Sequence, residues 1–190
     1  RMISDAGLPA EICTYVRALR EDIDYAADLG ADSVHLVIPV SDLHIEKKLR
    51  KSRDQVCTMA WNAVEYAKER GLLVELSGED ASRADPEFVR HLFGEGVKRG
   101  ADRLCFCDTV GLLTPERTAE IIPLLAAIAP LSIHCHDDLG CASANTITAA
   151  EAGAFQLHTT VNGIGERAGN AALEEILVAC RLKGGVERYD

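Results

Sequence analysis

The chain has no CxxC pair, no GxGxxG behind an early strand, no long apolar run and no excess of positive charge, and each absence removes a class of function. Its seven cysteines (Cys13, Cys57, Cys105, Cys107, Cys135, Cys141 and Cys180) are odd in number and scattered. That distribution argues against a disulfide framework or a zinc knuckle and leaves most of them as small buried apolar residues. Nothing approaches the roughly 20 consecutive apolar residues that cross a bilayer, and the first residues lack the parts of a secretory signal. The expectation is a cytoplasmic protein with no membrane partner. Asp and Glu number 30 against 20 Lys and Arg, for a formal charge of −10 and a pI near 5.1. Nucleic acid and anionic membranes need clustered Lys and Arg, so neither is an expected partner. An acidic substrate would need a local positive site, made of arginines or a metal.

What is present is a soluble, globular composition: 190 residues, 47% hydrophobic, with a mean hydropathy of +0.01. One domain over 1–190 is expected. Short β-rich runs alternate with longer helical patterns: ICTYV (12–16), SVHLVI (33–38), LLVEL (72–76), RLCFC (103–107), LSIHC (131–135) and FQLHTT (155–160). Six strands, each followed by a helix, predict parallel strands with right-handed crossovers. Gly30, Gly71, Gly100 and Gly153 close helical patterns, and Asp85-Pro86 and Thr114-Pro115 open them. Val56, Met59, Ala60, Ala63, Val64 and Ala67 fall on one helical stripe, which makes Met59 a core residue. Trp61 lies off that stripe and is free to meet a partner.

Two α/β architectures compete. The nearest approach to a dinucleotide-binding loop, Gly163-x-Gly165-x-x-x-Gly169, is late in the chain and one residue too long. Polar clusters instead follow successive strands: PVSD, SGED, DTVG, HDDLG and NGIGER. Barrel enzymes keep their chemistry at the C-terminal ends of their strands, so the pattern favours a (β/α)8 TIM-barrel type. A whole barrel needs eight strands and about 250 residues. Six βα units therefore predict an incomplete barrel, holding strands 3–8, truncated at its N-terminus and lacking a C-terminal subdomain.

The stretch LSIHCHDDLG (131–140) carries the chemistry. A strand period of two puts His134 and His136 on one face with Cys135 on the other, so both imidazoles can reach one divalent cation. Taken alone, the HxH pair is equally a pair of hydrogen-bonded strand-end histidines. Its surroundings decide. The ordered set HCHDDLGCASANT, AAEAGA and TTVNGIGERAGNAALEE (159–175), with EDASRAD (79–85) and DTVGLLTP (108–115), resembles the homocitrate synthase and 2-isopropylmalate synthase family. These are metal-dependent TIM barrels, related to HMG-CoA lyase, that condense acetyl-CoA with a 2-oxoacid. HLVIPVSD (35–42) and ADRLCFCDTVG (101–111) look most like the nitrogenase-associated homocitrate synthases.

The resemblance implies that His134, His136 and Asn170 hold the metal (Zn, Mg or Mn), with Asn170 alternatively capping the helix that follows. It implies that His35, Arg83 and Thr109 bind the oxoacid, each with a structural alternative: lumen filling, a solvated loop charge and a turn bond. Glu79 and Glu166 are the implied catalytic carboxylates, although Glu79 could instead pair with Arg83, and Glu166 with Arg167. Asn162, Gly163 and Gly165 are implied to lie beside acetyl-CoA, and Asp108 and Asp137 to orient the histidines. A related lyase branch is expected to carry a cysteine in this loop; residues 161–172 have none, which favours synthesis over cleavage. The implied reaction is homocitrate synthesis from 2-oxoglutarate, with 2-isopropylmalate or citramalate synthesis, acyl-CoA cleavage or a non-catalytic barrel fragment as alternatives. The family's first-strand Arg-Asp or Arg-Glu stretch and its later His/Tyr segment have no counterpart here. Activity is thus expected of a longer homodimeric parent, and the isolated chain is expected to be inactive. An amidohydrolase would place HxH on its first strand, and a biotin-dependent carboxyltransferase would need a metal-binding lysine between 101 and 113, where none stands.

Overall fold

The structure, a computed structural model, describes residues 1–183. Strands β1 (Cys13–Arg17), β2 (Ser33–Pro39), β3 (Leu73–Glu79), β4 (Arg103–Asp108), β5 (Leu131–Cys135) and β6 (Gln156–His158) follow one another across the sheet in chain order. The pairs β1–β2, β2–β3 and β5–β6 are parallel. Helix α1 (Arg20–Asp28) follows β1. After β2 come a single turn, α2 (Asp42–His44), a π turn (Ile45–Leu49) and the long α3 (Arg53–Glu69). Helices α4 (Pro86–Lys98), α5 (Pro115–Ala126), α6 (Ala142–Glu151) and α7 (Leu173–Lys183) follow β3 to β6 in turn. Each expected strand is present, and β6 is cut to three residues. Among the described residues, no helix is long and apolar enough to cross a membrane.

The chain divides into two compact units: Arg1–Glu79 with Ala84–Leu104, and Asp80–Arg83 with the chain from Cys105 onward. In the first unit the strands alternate as the period of two demands. Val34, Leu36, Val74 and Leu76 are fully buried on one face, on which α3 and α4 pack. Gly96 lets α4 approach β3 closely, because a Cβ there would come within 2.4 Å of Leu76 Cδ2. The other face carries Tyr15, His35 and Glu75, which are neighbours across β1, β2 and β3.

The buried stripe of α3 is Val56, Cys57, Ala60, Ala63, Val64 and Ala67, so Met59 is only half-buried and Cys57 takes the place expected of it. Trp61 is not a free surface aromatic: its Nε1 donates to Leu92 O at 3.1 Å, its ring meets His91 edge-on, and the Arg99 guanidinium lies over it. Helix α3 opens with a reciprocal cap in which Ser52 Oγ accepts from Gln55 N and Gln55 Oε1 accepts from Ser52 N. Ser52→Ala is expected to lower stability by about 1 kcal/mol, read as a shift in denaturant midpoint.

In the second unit Leu131, Ile133 and Cys135 of β5 are fully buried beside Ile122, Leu125, Ala142 and Ala149 of α5 and α6. Asn145, wholly buried, donates to Leu113 O and ties α6 to the loop after β4. The alternate residues of β5, Ser132 and His134, face the other way, and His136 continues their line.

Candidate metal centre

The two histidines meet at the end of β5 as the strand period requires. Their Nε2 atoms are 3.2 Å apart, with ring centroids separated by 5.0 Å and planes crossing at 83°. Two nitrogens each about 2.0–2.1 Å from one cation would be separated by about this distance. The separation also suits a single N–H···N bond between the rings. Asn170 completes the cluster: its side-chain amide lies 3.4 Å from His134 Nε2 and 3.5 Å from His136 Nδ1. The amide nitrogen faces the two rings and Oδ1 faces Gly165, and a half-turn of the amide exchanges the two, bringing the oxygen to the side of the imidazoles. Two neutral nitrogens and an amide oxygen are a donor set suited to a divalent ion with positions left for substrate. The residues present therefore fit the expected metal.

The backbone holds this cluster in place. His136 N donates to Asp108 O, Asp137 N to Gly169 O, and Ala171 N to Cys135 O, so that His136 and Asn170 form an antiparallel bridge. Gly163 and Gly165 form the seat of Asn170. A Cβ on Gly163 would lie 2.9 Å from Asn170 O, and one on Gly165 would lie 1.7 Å from Asn170 Oδ1. Gly163 also has φ +64°, a conformation that side chains resist. Asn170 does not cap a helix, because α7 begins three residues later, at Leu173. Asp108 and Asp137 do not reach the imidazoles with their carboxylates. Asp108 accepts the amides of Leu112 and Leu113, and Asp137 accepts that of Ala142 at the start of α6. Asp108 positions His136 through its carbonyl instead.

Other expected site residues of this unit lie in the loops that follow its strands. Arg83 forks onto Asp80, with Nε at 2.8 Å from Oδ1 and Nη2 at 2.7 Å from Oδ2; the hydrogen bonds raise the guanidinium pKa further. Asp80 is fully buried, has φ +64° and donates its amide to Thr109 Oγ1 at 2.8 Å. Thr109 thus bonds the Asp80 loop rather than its own turn. Asn162, also in the left-handed region at φ 58°, donates its amide to Glu174. The expected pair of Glu166 and Arg167 is present as a long contact of 3.8 Å with Glu166 80% exposed, and Arg167 makes a stronger one besides: it forks onto Asp138 with two contacts of 2.7 Å. Hydrogen bonding from Arg167 holds the Asp138 carboxyl below the usual carboxylate range.

His35 and Glu79 belong to the first unit. His35 Nδ1 bonds Glu75 Oε2 at 2.6 Å and its ring stacks on Tyr15. Glu75 is buried, and Arg103 Nε lies 3.5 Å from it while reaching Glu11 with its other end. Glu79 is held by Lys48 at 2.7 Å and His44 at 2.7 Å, not by Arg83. Asp80, Asp138 and Glu75 are not singled out by the sequence. For Asp80 the only signal is its place between Glu79 and Arg83, and for Asp138 the second carboxylate of HDD.

Comparison with known proteins shows the fold and the family. An HMG-CoA lyase structure from Brucella melitensis superposes with a TM-score of 0.78 over 90% of this chain and 66% of that one, at 20% identity. The carboxyl transferase domain of Rhizobium etli pyruvate carboxylase superposes at 0.69 over 93% of this chain and 31% of that one, again at 20% identity. At such identities the likeness establishes the fold alone: an incomplete (β/α)8 TIM-barrel type with six βα units. In sequence the chain is 54% identical over 189 residues to the (R)-citramalate synthase of Methanocaldococcus jannaschii, covering 98% of this chain and 38% of that protein. It is 71% identical over 187 residues to a Methanoculleus marisnigri protein given the same name provisionally, covering 98% of this chain and 37% of that one. The chain thus spans well under half the length of the curated relatives it matches. Residues 1–190 match the HMGL-like family throughout, and the chain belongs to that family.

Proposed function

We propose that this chain is the metal-holding barrel portion of an acetyl-CoA-dependent citramalate synthase. The observation that carries this reading is the 54% identity, over 98% of the chain, to a protein named (R)-citramalate synthase. The clustered His134, His136 and Asn170 supply the chemistry such an enzyme needs. Both sequence relatives described above bear the citramalate synthase name, which supports the citramalate alternative over the expected homocitrate reading. Citramalate has the carbon skeleton of pyruvate with an acetyl unit added at its keto carbon, which makes pyruvate the proposed 2-oxoacid.

In this reading His134, His136 and Asn170 hold a divalent cation, which when bound withdraws charge from the 2-oxoacid carbonyl. Arg83, steadied by Asp80, offers a guanidinium to the substrate carboxylate. The Thr109 hydroxyl accepts the Asp80 amide and keeps its own proton to donate to the same carboxylate. Glu166 is the carboxylate of this unit proposed to move the acetyl methyl proton. Asn162, Gly163 and Gly165 carry the loop beside the acyl-CoA. The acetyl methyl carbon, having given up a proton, bonds to the keto carbon of pyruvate, whose oxygen takes up a proton to become the tertiary hydroxyl, and water then cleaves the thioester to release citramalate and CoA. The test is thiol release from acetyl-CoA by the full-length protein containing this chain, with pyruvate, 2-oxoisovalerate and 2-oxoglutarate as acceptors. Turnover is expected with pyruvate, and little or none from residues 1–190 alone. A preference for 2-oxoglutarate would restore the homocitrate reading.

A further inference from the structure

We propose that Arg167 is a positioning residue for the metal centre, latching the loop that carries Asn170 across the ends of β4 and β5. The inference rests on the reading of His134, His136 and Asn170 as cation donors. Arg167 makes three hydrogen bonds to two other loops: Nε and Nη2 to the two carboxylate oxygens of Asp138, each at 2.7 Å, and Nη2 to Thr109 O at 2.8 Å. The first anchor lies two residues beyond His136, and the second is next to Asp108, whose carbonyl accepts the His136 amide. Arg167 itself sits three residues before Asn170. One guanidinium therefore joins the three segments that set where the two imidazoles and the amide stand.

Two further observations support the latch. Arg167 has φ +56°, a backbone conformation that a residue with a side chain holds only when its surroundings impose it. The Asp138 anchor is in turn pressed onto Gly111, where a Cβ would come within 2.6 Å of Asp138 Oδ2 and 2.7 Å of its amide. The carboxylate thus has little room to follow the arginine if the loop lifts. With side chains 41% and 25% exposed, the pair contributes little to fold stability. Its effect is expected in geometry, because groups that orient metal ligands change affinity by about 10–100-fold when removed.

The test is calorimetric titration of Zn2+ into the full-length protein containing this chain and into its variants R167Q, R167K, D138N, R167Q/D138N and H136A. R167Q and D138N are each expected to weaken Zn2+ binding by about 10–100-fold. R167K should recover only part of the loss, since an ammonium can reach Asp138 but cannot fork onto it and meet Thr109 O together. The double variant should lose no more than the worse single one, because both break the same link. Losses that add independently, or unchanged Zn2+ affinity in R167Q, overturn the latch even if R167Q lowers the melting temperature. H136A separates the two claims: if it leaves Zn2+ binding intact, the metal reading itself fails, whereas if it alone abolishes binding, the metal reading survives and the latch does not.

Discussion

His136→Ala is expected to weaken binding of a divalent cation by more than about 100-fold, a larger loss than that from removing a group that merely orients a ligand. The imidazole is buried, its Nε2 stands 3.2 Å from that of His134, and its amide and bridge partner fix it against Asp108 and Asn170. The carboxylates that follow it in sequence are not placed to substitute for it. Asp137 is committed to the Ala142 amide and Asp138 to Arg167. A chelator competition titration against Zn2+ measures the loss directly. Retention of wild-type affinity would show that the two rings are only hydrogen-bonded partners at a strand end. The fold should tolerate the change, because the apolar packing of β5 lies on the Leu131, Ile133 and Cys135 face.

The second large effect is on stability. Phe93→Ala in α4 should cost about 3–5 kcal/mol, the range for deleting a buried aromatic side chain and leaving part of its space unfilled. Phe93 has no solvent exposure, and its ring lies over Gly78 of β3, where an added Cβ would sit 3.2 Å from Phe93 Cζ and 3.3 Å from Val40 Cγ2. The ring fills the space the glycine leaves, so its loss opens a void that neither Gly78 nor the rigid strand can close. Urea unfolding of both proteins reads the difference, and Phe93→Leu should lose less. A change below about 1 kcal/mol would mean that the site collapses around the alanine.

The strands and the HxH geometry are legible in the sequence for one reason: both follow from the alternation of side chains along an extended chain. Leu131, Ile133 and Cys135 can be assigned to one face and His134 and His136 to the other from the order of residues alone. The helix starts at Pro86 and Pro115 are legible because Asp85 and Thr114 are local caps. What the sequence hides is set by contacts distant along the chain. Nothing local says that Arg167 will fork onto Asp138, 29 residues away, or that Trp61 will donate to Leu92 O on another helix. The same holds for Glu75, whose buried carboxylate in a strand reads as an anomaly until His35 and Arg103 are seen beside it. Asn170 resembles a cap in sequence but is not one, because the start of α7 depends on the turn before it, which is shaped by the bridge to His136.

The division of labour between the two sides of each strand has an evolutionary consequence. Residues such as Leu36, Leu76 and Ile133 answer to the helices, while His35, Glu75 and His134 answer to whatever lies on the opposite side. A substitution at His35, Glu75 or His134 therefore leaves the apolar contacts of the helix-facing side in place. One scaffold of this kind can thus vary the side chains on one face of its strands while the other face continues to hold the helices.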